Sequence, residues 1–199
     1  MARLALPRWL PNAITLLRIA LIPAFVAHAH WCDAAVASGG SDQPHRALAL
    51  AALLGIGVSD VVDGFLARRY GLATPLGATL DAVADKLAQV ALLLFFATTT
   101  GAAFARVPIW FVALVLGRDV VLAAGSLAVR ARRGRVEVVH ERHGRLSSLL
   151  LFALLVWITA DLDRSVVPPA LVAASVLVVL STVGYVRDGW RQWRAGDDA

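Results

Sequence analysis

The sequence predicts an all-α integral membrane bundle of six transmembrane helices, and three observations lead to this fold class. Of the 199 residues, 59% are hydrophobic and only 17% are charged, with a mean hydropathy of +0.71, whereas soluble domains carry roughly 25% charged residues. Apolar runs recur close to the ~20 residues that a helix needs to cross a bilayer. These runs are continuous and rich in Ala and Leu, which argues against the alternating pattern of membrane-spanning strands.

Six apolar segments mark the predicted helices. In chain order they lie at about 13–31, 46–67, 77–99, 107–130, 146–162 and 166–187. Asn12 is the predicted N-cap of the first helix, because its side chain can accept a backbone hydrogen bond. Residues 33–45 are predicted to form a flexible loop rich in Gly and Ser. Pro168 and Pro169 fall at the start of the last helix, where a missing backbone donor costs least.

The distribution of arginine predicts the topology. With six spans, both termini and the second and fourth loops lie on one side. That side carries thirteen arginines, which are Arg3, Arg8, Arg68, Arg69, Arg130, Arg132, Arg133, Arg135, Arg142, Arg145, Arg187, Arg191 and Arg194. The other side carries three, which are Arg46, Arg106 and Arg164. The positive-inside rule therefore predicts cytoplasmic termini in the cell inner (cytoplasmic) membrane.

Charge, cysteine content and domain organisation fit this topology. The formal charge of +5 is explained by the cytoplasmic loops, so no nucleic-acid partner is predicted. Cys32 is the single cysteine and offers neither an internal disulfide nor a Cys-rich metal site.

We expect one membrane domain over residues 1–199, with an interfacial segment at 1–12, the bundle at 13–187 and a cytoplasmic tail at 188–199. A frayed basic tail is the alternative for residues 1–12.

Four aspartates inside two predicted spans point to chemistry, because carboxylates in a membrane need partners or water. Asp60 and Asp63 end the second span, while Asp81 and Asp85 begin the third. Spacings of three and four residues put each pair on one helix face. A short loop at about 69–76 brings both pairs to the same depth, so we expect the four carboxylates to converge on one cavity.

Clustered carboxylates repel each other unless they are protonated or bridged by cations. Hard divalent cations prefer oxygen ligands and complete their coordination with substrate phosphates. The predicted cofactor is therefore Mg²⁺ or Mn²⁺, two ions in all, at a phosphoryl-transfer site. A buried polar network without metal is the alternative interpretation.

Small and basic residues flank the aspartates. Gly64, Ala67 and Gly77 leave room either for close helix packing or for a ligand. Arg68 lies at the mouth of the predicted cavity, where its guanidinium can bind a diphosphate. The alternative is that Arg68, as a basic residue at a cytoplasmic helix end, only sets the orientation of the helix in the membrane.

These residues form a motif of fixed spacing. Asp60-Val-Val-Asp63-Gly64-Phe-Leu-Ala67-Arg68 is followed by eight residues and then by Gly77-Ala-Thr-Leu-Asp81-Ala-Val-Ala-Asp85. The pattern D-x2-D-G-x2-A-R, a spacer and G-x3-D-x3-D resembles the signature of the CDP-alcohol phosphatidyltransferase family. All eight fixed positions match, and the six-span plan extends the resemblance over nearly the whole chain.

The resemblance implies that a hydroxyl attacks the β-phosphorus of a CDP-linked lipid and displaces CMP. Asp60, Asp63 and Asp81 match the metal-binding positions, and Asp85 matches the proposed general base, also close to metal. The positions that match the binding site for CDP and its diphosphate are Asp60, Gly64, Ala67, Arg68 and Gly77. Family members are typically homodimers whose active site opens to the cytoplasmic leaflet.

The acceptor alcohol is less clearly marked. The opening from Pro11 to Pro23 resembles both phosphatidylglycerophosphate synthases and eukaryotic-type cardiolipin synthases, whose acceptors are glycerol 3-phosphate and phosphatidylglycerol. We expect glycerol 3-phosphate, with phosphatidylglycerol as the alternative, since Arg118-Asp119 looks more like the cardiolipin branch. The predicted acceptor-binding residues are Arg18, Arg118, Arg142, Arg145 and Ser148.

A divalent-cation transporter is the competing function from another class. A transit pathway needs polar residues at several depths. The acidic residues cluster at one end of the spans instead, which favours the enzyme.

Overall fold

The computed structural model describes residue 7, residues 9–133 and residues 142–194. In this part of the chain, six α-helices and one short 3-10 helix form, and there is no strand. The helices are α1 (Leu10–Ala37), α2 (His45–Tyr70), α3 (Pro75–Thr98), α4 (Ile109–Arg133), α5 (Arg142–Thr159) and α6 (Val167–Arg194), with the 3-10 helix at Arg164–Val166. The predicted all-helical fold class is confirmed.

The start of α1 differs from the prediction. Trp9 is the N-cap and makes no side-chain capping bond, while Pro11 occupies the first turn. The prediction that Asn12 caps the helix is therefore wrong, because a proline tolerated in the first turn lets the helix begin before it. At its other end α1 continues to Ala37, so the predicted loop at 33–45 is shorter. Of the predicted interfacial segment, residues 1–6 and 8 lie outside the described residues.

Within the residues that the structure describes, four helices are long and apolar enough to cross a membrane. They are Leu10–Ala37, His45–Tyr70, Ile109–Ala131 and Arg164–Arg191, and a shorter apolar helix lies at Ser147–Thr159. The 24-residue α3 has the length to span a bilayer, at about 1.5 Å per residue, but it carries Asp81, Asp85 and Lys86 and is not one of the four. The protein is thus a multi-pass membrane protein.

The chain divides into two compact units. The first contains Met1–Arg106 and Val156–Leu162, and the second contains Val107–Leu155 and Asp163–Ala199. In the first unit α1 packs against both α2 and α3. Its aromatic core consists of Phe25, Phe95, Phe96 and Phe104, with ring centroids 5.2 to 6.0 Å apart. In the second unit α4 packs against α6.

Two buried charged residues hold the segment after α3 in the first unit. Asp33 accepts hydrogen bonds from the backbone N–H groups of Thr100 (2.7 Å) and Ala103 (3.0 Å). The guanidinium of Arg46 donates to the carbonyl oxygens of Thr159 (3.1 Å) and Ala103 (3.1 Å). Arg46 also pairs with the carboxylates of Asp42 and Asp161 and lies over the ring of Phe104. These contacts satisfy charges that would otherwise be costly to bury.

Candidate functional site

The connection between α2 and α3 positions the aspartates. Gly71 caps α2 with φ at +63°, a left-handed conformation that glycine adopts without strain. Thr74 then caps α3, since its hydroxyl accepts a hydrogen bond from the Gly77 N–H at 3.0 Å. The connection between the two helices, residues 71–74, is therefore short.

Four carboxylates surround one guanidinium at this end of the first unit. Nη1 of Arg18 lies 3.2 Å from Oδ1 of Asp60, 2.9 Å from Oδ1 of Asp81 and 2.5 Å from Oδ1 of Asp85, and Nη2 lies 2.6 Å from Oδ2 of Asp63. The two pairs of aspartates, which the helical spacing brings to one face of each helix, thus meet at α1. A carboxylate oxygen from each of Asp60, Asp63 and Asp81 lies within 4.8 Å of the other two, so these three residues can hold a metal ion.

Burial divides the cluster into a floor and an open side. The side chains of Arg18 and Asp63 are 1% and 4% exposed, whereas those of Asp60, Asp81 and Asp85 are 51%, 43% and 51% exposed. A ligand can therefore reach three of the carboxylates directly. Asp63 lies beneath them, and its Oδ1 is buried without a hydrogen-bond partner among the described residues.

Two hydroxyl groups complete the floor, and the sequence did not single them out for it. Thr15 donates to Oδ2 of Asp63 at 2.9 Å, and Nε of Arg18 donates to Oγ of Ser59 at 3.4 Å. Thr15 lies three residues before Arg18 and so shares its helix face. Polar residues repeated at that spacing in an apolar helix are the signal that can identify such a pair.

Arg68 and two small residues lie on the last turns of α2. A methyl group at Gly64 would lie 3.2 Å from Nη1 of Arg68, so glycine leaves room for this guanidinium against the helix. The side chain of Arg68 is exposed and that of Ala67 is partly exposed. This arrangement leaves a basic group available to an anion beside Asp60 and Asp63.

Gly77 lies against α1. A methyl group at Gly77 would lie 2.6 Å from Oδ1 of Asn12 and 3.0 Å from Oγ1 of Thr74. The small residue thus admits the Asn12 side chain to the first turn of α3. This contact supports a packing role for Gly77. Packing was one of the two roles that its small size allowed, and ligand binding was the other.

We expect Gly77→Ala to destabilise the protein by about 1–3 kcal/mol, the usual cost of overpacking. Asn12→Ala should restore much of the loss, because it removes the atom that the new methyl group meets. Thermal unfolding of the purified single and double variants measures the effect. Gly125→Ala in α4 is the matched control, since its methyl group meets nothing within 4 Å. Equal stability of Gly77→Ala and the wild type would refute this packing role.

The remaining predicted acceptor residues lie in the second unit. Arg118, on α4, donates from Nη2 to Oγ of the buried Ser181 on α6 at 3.4 Å. Its Nε is buried and has no hydrogen-bond partner within the described ranges. Ser148 lies on α5 with an exposed side chain. Arg142 and Arg145 begin α5, but their side chains lie outside the described residues.

Comparison with known proteins identifies relatives over most of the chain. A sequence model for CDP-alcohol phosphatidyltransferase matches residues 8–186. A "Probable phosphatidylglycerophosphate synthase" of Mycobacterium tuberculosis is 31% identical over 180 residues, which cover 89% of this chain and 79% of the relative. A "CDP-diacylglycerol--glycerol-3-phosphate 3-phosphatidyltransferase" of Bacillus subtilis is 35% identical over 131 residues, 64% of either chain.

A second kind of name occurs among the relatives. A "Putative cardiolipin synthase" of Mycobacterium bovis is 36% identical over 129 residues, which cover 62% of this chain and 51% of the relative. The chain therefore spans about half the length of this relative. The relatives therefore carry names for two different products, phosphatidylglycerophosphate and cardiolipin.

Proposed function

The chain belongs to the CDP-alcohol phosphatidyltransferase family, and from this premise we propose that it transfers the phosphatidyl group of CDP-diacylglycerol to glycerol 3-phosphate and releases CMP. The observation that carries the proposal is the carboxylate cluster, in which Asp60, Asp63 and Asp81 come within 4.8 Å of one another. Relatives named for this reaction, from Bacillus subtilis and Pseudomonas fluorescens, support it.

Divalent metal fits the residues of this cluster. Every donor is a carboxylate oxygen, which suits Mg²⁺ or Mn²⁺, and Oδ1 of Asp63 is buried without a partner in the described part of the chain. We assign the metal ligands to Asp60, Asp63, Asp81 and Asp85, with two ions as the predicted number. The metal supplies positive charge that orients the diphosphate and offsets the charge developing during transfer.

The donor lipid binds beside the cluster. Arg68 is exposed on the last turn of α2, and its guanidinium lies close to where a side chain at Gly64 would be, so it can bind a diphosphate through two hydrogen bonds. Gly64, Ala67 and Gly77 keep this surface free of bulky side chains. Together with Asp60, these residues form the proposed CDP-binding site.

The transfer itself is a substitution at phosphorus. The acceptor hydroxyl oxygen forms a bond to the β-phosphorus, which carries the diacylglycerol group. The bond from that phosphorus to the bridging oxygen breaks, and CMP leaves with the oxygen and the electron pair. Asp85, which is half exposed at the open side of the cluster, accepts the hydroxyl proton as the new bond forms.

An arginine of the second unit supports glycerol 3-phosphate as the acceptor. Arg118 retains a buried Nε without a hydrogen-bond partner within the described residues, and a phosphate oxygen can satisfy such a donor. Arg142, Arg145 and Ser148 of α5 are the other proposed acceptor residues of this unit. Phosphatidylglycerol also carries a phosphate, so cardiolipin synthesis is the second candidate, favoured by the name of the Mycobacterium bovis relative.

The lipid product decides between these acceptors. Purified protein is incubated with CDP-diacylglycerol and, in separate reactions, glycerol 3-phosphate, phosphatidylglycerol, inositol phosphate or serine. We expect phosphatidylglycerophosphate from glycerol 3-phosphate and no product from the others. Cardiolipin formed from phosphatidylglycerol, without turnover of glycerol 3-phosphate, would overturn the assignment.

Arg118→Gln tests the proposed acceptor site in the same assay. We expect the KM for glycerol 3-phosphate to rise about tenfold or more, because a hydrogen bond to a charged group contributes roughly 1.5–3 kcal/mol. The KM for CDP-diacylglycerol should stay constant. Arg130→Gln, an exposed arginine on the same helix, is the matched control.

The membrane arrangement follows from the arginine distribution. We propose a single domain of six spans in the cell inner membrane, with α3 and α5 completing the bundle. Both termini and the active site face the cytoplasm in this arrangement. We also propose a homodimer, which is the usual state in the family. The family match disfavours the cation-transporter alternative.

A further inference from the structure

Arg18 is the one positive charge in contact with the carboxylate cluster within the described residues. Its side chain is 1% exposed, and its two terminal nitrogens contact all four aspartates. The formal charges of four carboxylates and one guanidinium sum to −4 + 1 = −3. Arg18 therefore neutralises the cluster only in part, and a further cation remains favourable.

Arg18 and a metal ion draw on the same carboxylates. A divalent cation binds carboxylate oxygens at about 2.0–2.6 Å, and the oxygens that can hold it belong to Asp60, Asp63 and Asp81. Nη1 of Arg18 already contacts Asp60 and Asp81 at 3.2 and 2.9 Å. Two cations close together repel each other, so metal binding at these carboxylates disfavours the contacts of Arg18.

We propose that Arg18 is a built-in counter-cation that competes with divalent metal for the four carboxylates. Its guanidinium holds the aspartates of α2 and α3 together from α1, and it yields the oxygens when metal binds. Arg18 thereby stabilises the metal-free protein and lowers its affinity for metal. The inference rests on the metal site of the proposed function and gives Arg18 a positioning role.

The neighbours of Arg18 support exchange. Asp63 keeps a donor when Arg18 moves, because Thr15 also donates to Oδ2 of Asp63 at 2.9 Å. The nitrogens Nε, Nη1 and Nη2 of Arg18 are engaged by Ser59 and the carboxylates. An acceptor phosphate placed there would meet four negative charges. Competition with metal is thus a better account of this position than the acceptor binding expected from the sequence.

Arg18→Gln separates these roles by measurements other than turnover. Thermal unfolding of the purified protein is followed in chelator and in saturating Mn²⁺, and Mn²⁺ affinity is measured from the electron paramagnetic resonance signal of the free ion. In chelator we expect a lower midpoint than in the wild type, because four carboxylates lose their counter-charge. In Mn²⁺ the gain in midpoint should exceed that of the wild type. The Kd for Mn²⁺ should fall about tenfold, within the range of roughly 5–150-fold usual for coupled sites.

Arg46→Gln is the matched control for losing a buried arginine. Arg46 also pairs with two carboxylates, Asp42 and Asp161, which do not belong to the cluster. We expect this variant to lose the same stability in chelator and in Mn²⁺. A loss that Mn²⁺ reverses in both variants would contradict the assignment to Arg18.

Arg18→Lys keeps the test decisive if the glutamine variant does not fold. A lysine retains the charge but cannot contact four carboxylates with a planar fork. We expect its Mn²⁺ affinity to exceed that of the wild type and its metal-dependent gain in midpoint to be larger. Mn²⁺ affinity equal to or weaker than that of the wild type would overturn the competition. Failure of the wild type itself to bind Mn²⁺ would instead overturn the metal site of the proposed function, and the inference with it.

Discussion

Asp85→Asn is expected to leave the protein folded and to lower kcat for CMP release about 10³-fold, within the roughly 10²–10⁴-fold range of general base catalysis. The amide is close to the carboxylate in shape, and its oxygen can still accept the hydrogen bond that Arg18 donates to Asp85 at 2.5 Å. It cannot take the proton of the acceptor hydroxyl. The KM for CDP-diacylglycerol should change little.

Steady-state CMP release, together with size-exclusion behaviour in detergent, measures this loss. Asp188→Asn is the control, because Asp188 faces Arg191 on α6 at 3.9 Å and has no proposed catalytic role. Its turnover should equal that of the wild type. Substantial turnover by Asp85→Asn would remove Asp85 from the reaction.

Removal of divalent metal is expected to lower turnover about 10³-fold. The cluster retains a formal charge of −4 + 1 = −3 with Arg18 included, and the diphosphate of the substrate is itself negative. Two like charges 4 Å apart repel by about 4 kcal/mol near a protein surface, and each 1.4 kcal/mol is a tenfold change. Loss of the bridging cation should therefore cost roughly 10³-fold.

Dialysis against chelator, followed by stepwise addition of Mg²⁺ or Mn²⁺, measures this dependence. Addition of Ca²⁺ at the same concentration controls for unspecific effects of divalent charge. Full restoration by Mg²⁺ or Mn²⁺ is the expected result. Activity undiminished by thorough chelation would contradict the carboxylate–metal assignment.

The convergence of the four aspartates could be predicted from local spacing. Residues three or four positions apart share a helix face, and a short turn sets two helix ends at one depth. Gly71 and Thr74 supply that turn with a left-handed cap and an N-cap. Such features are local in the chain, so a single sequence contains them.

That Arg18, a charge inside a span, faces an acidic cavity rather than lipid could be expected, but its contacts with all four aspartates could not be predicted from local spacing. Arg18 is 41 to 67 residues from its contacts, and helical periodicity does not say which helix packs between α2 and α3. The contact of Asn12 with Gly77 is likewise set by packing of α1 against α3. The first turn of α1 was placed incorrectly because a proline and a capping residue compete to define a helix start.

The arginine on α4 illustrates the same limit. Arg118 lies inside the predicted fourth span at 107–130 and was predicted to bind the acceptor, but Ser181, its partner, lies 63 residues later. Ser181 is one hydroxyl in an apolar helix, and such residues more often bond to their own backbone. Only the packing of α4 against α6 shows that it faces Arg118.

The central claim is that the carboxylate cluster catalyses phosphatidyl transfer from CDP-diacylglycerol. The most direct measurement is the amount of CMP released by the purified wild-type protein with Mn²⁺ when glycerol 3-phosphate is added, with the lipid product quantified in the same reaction. We predict equal amounts of CMP and phosphatidylglycerophosphate, and neither without the acceptor. Absence of CMP release with every alcohol tested, from folded protein that binds Mn²⁺, would contradict the claim.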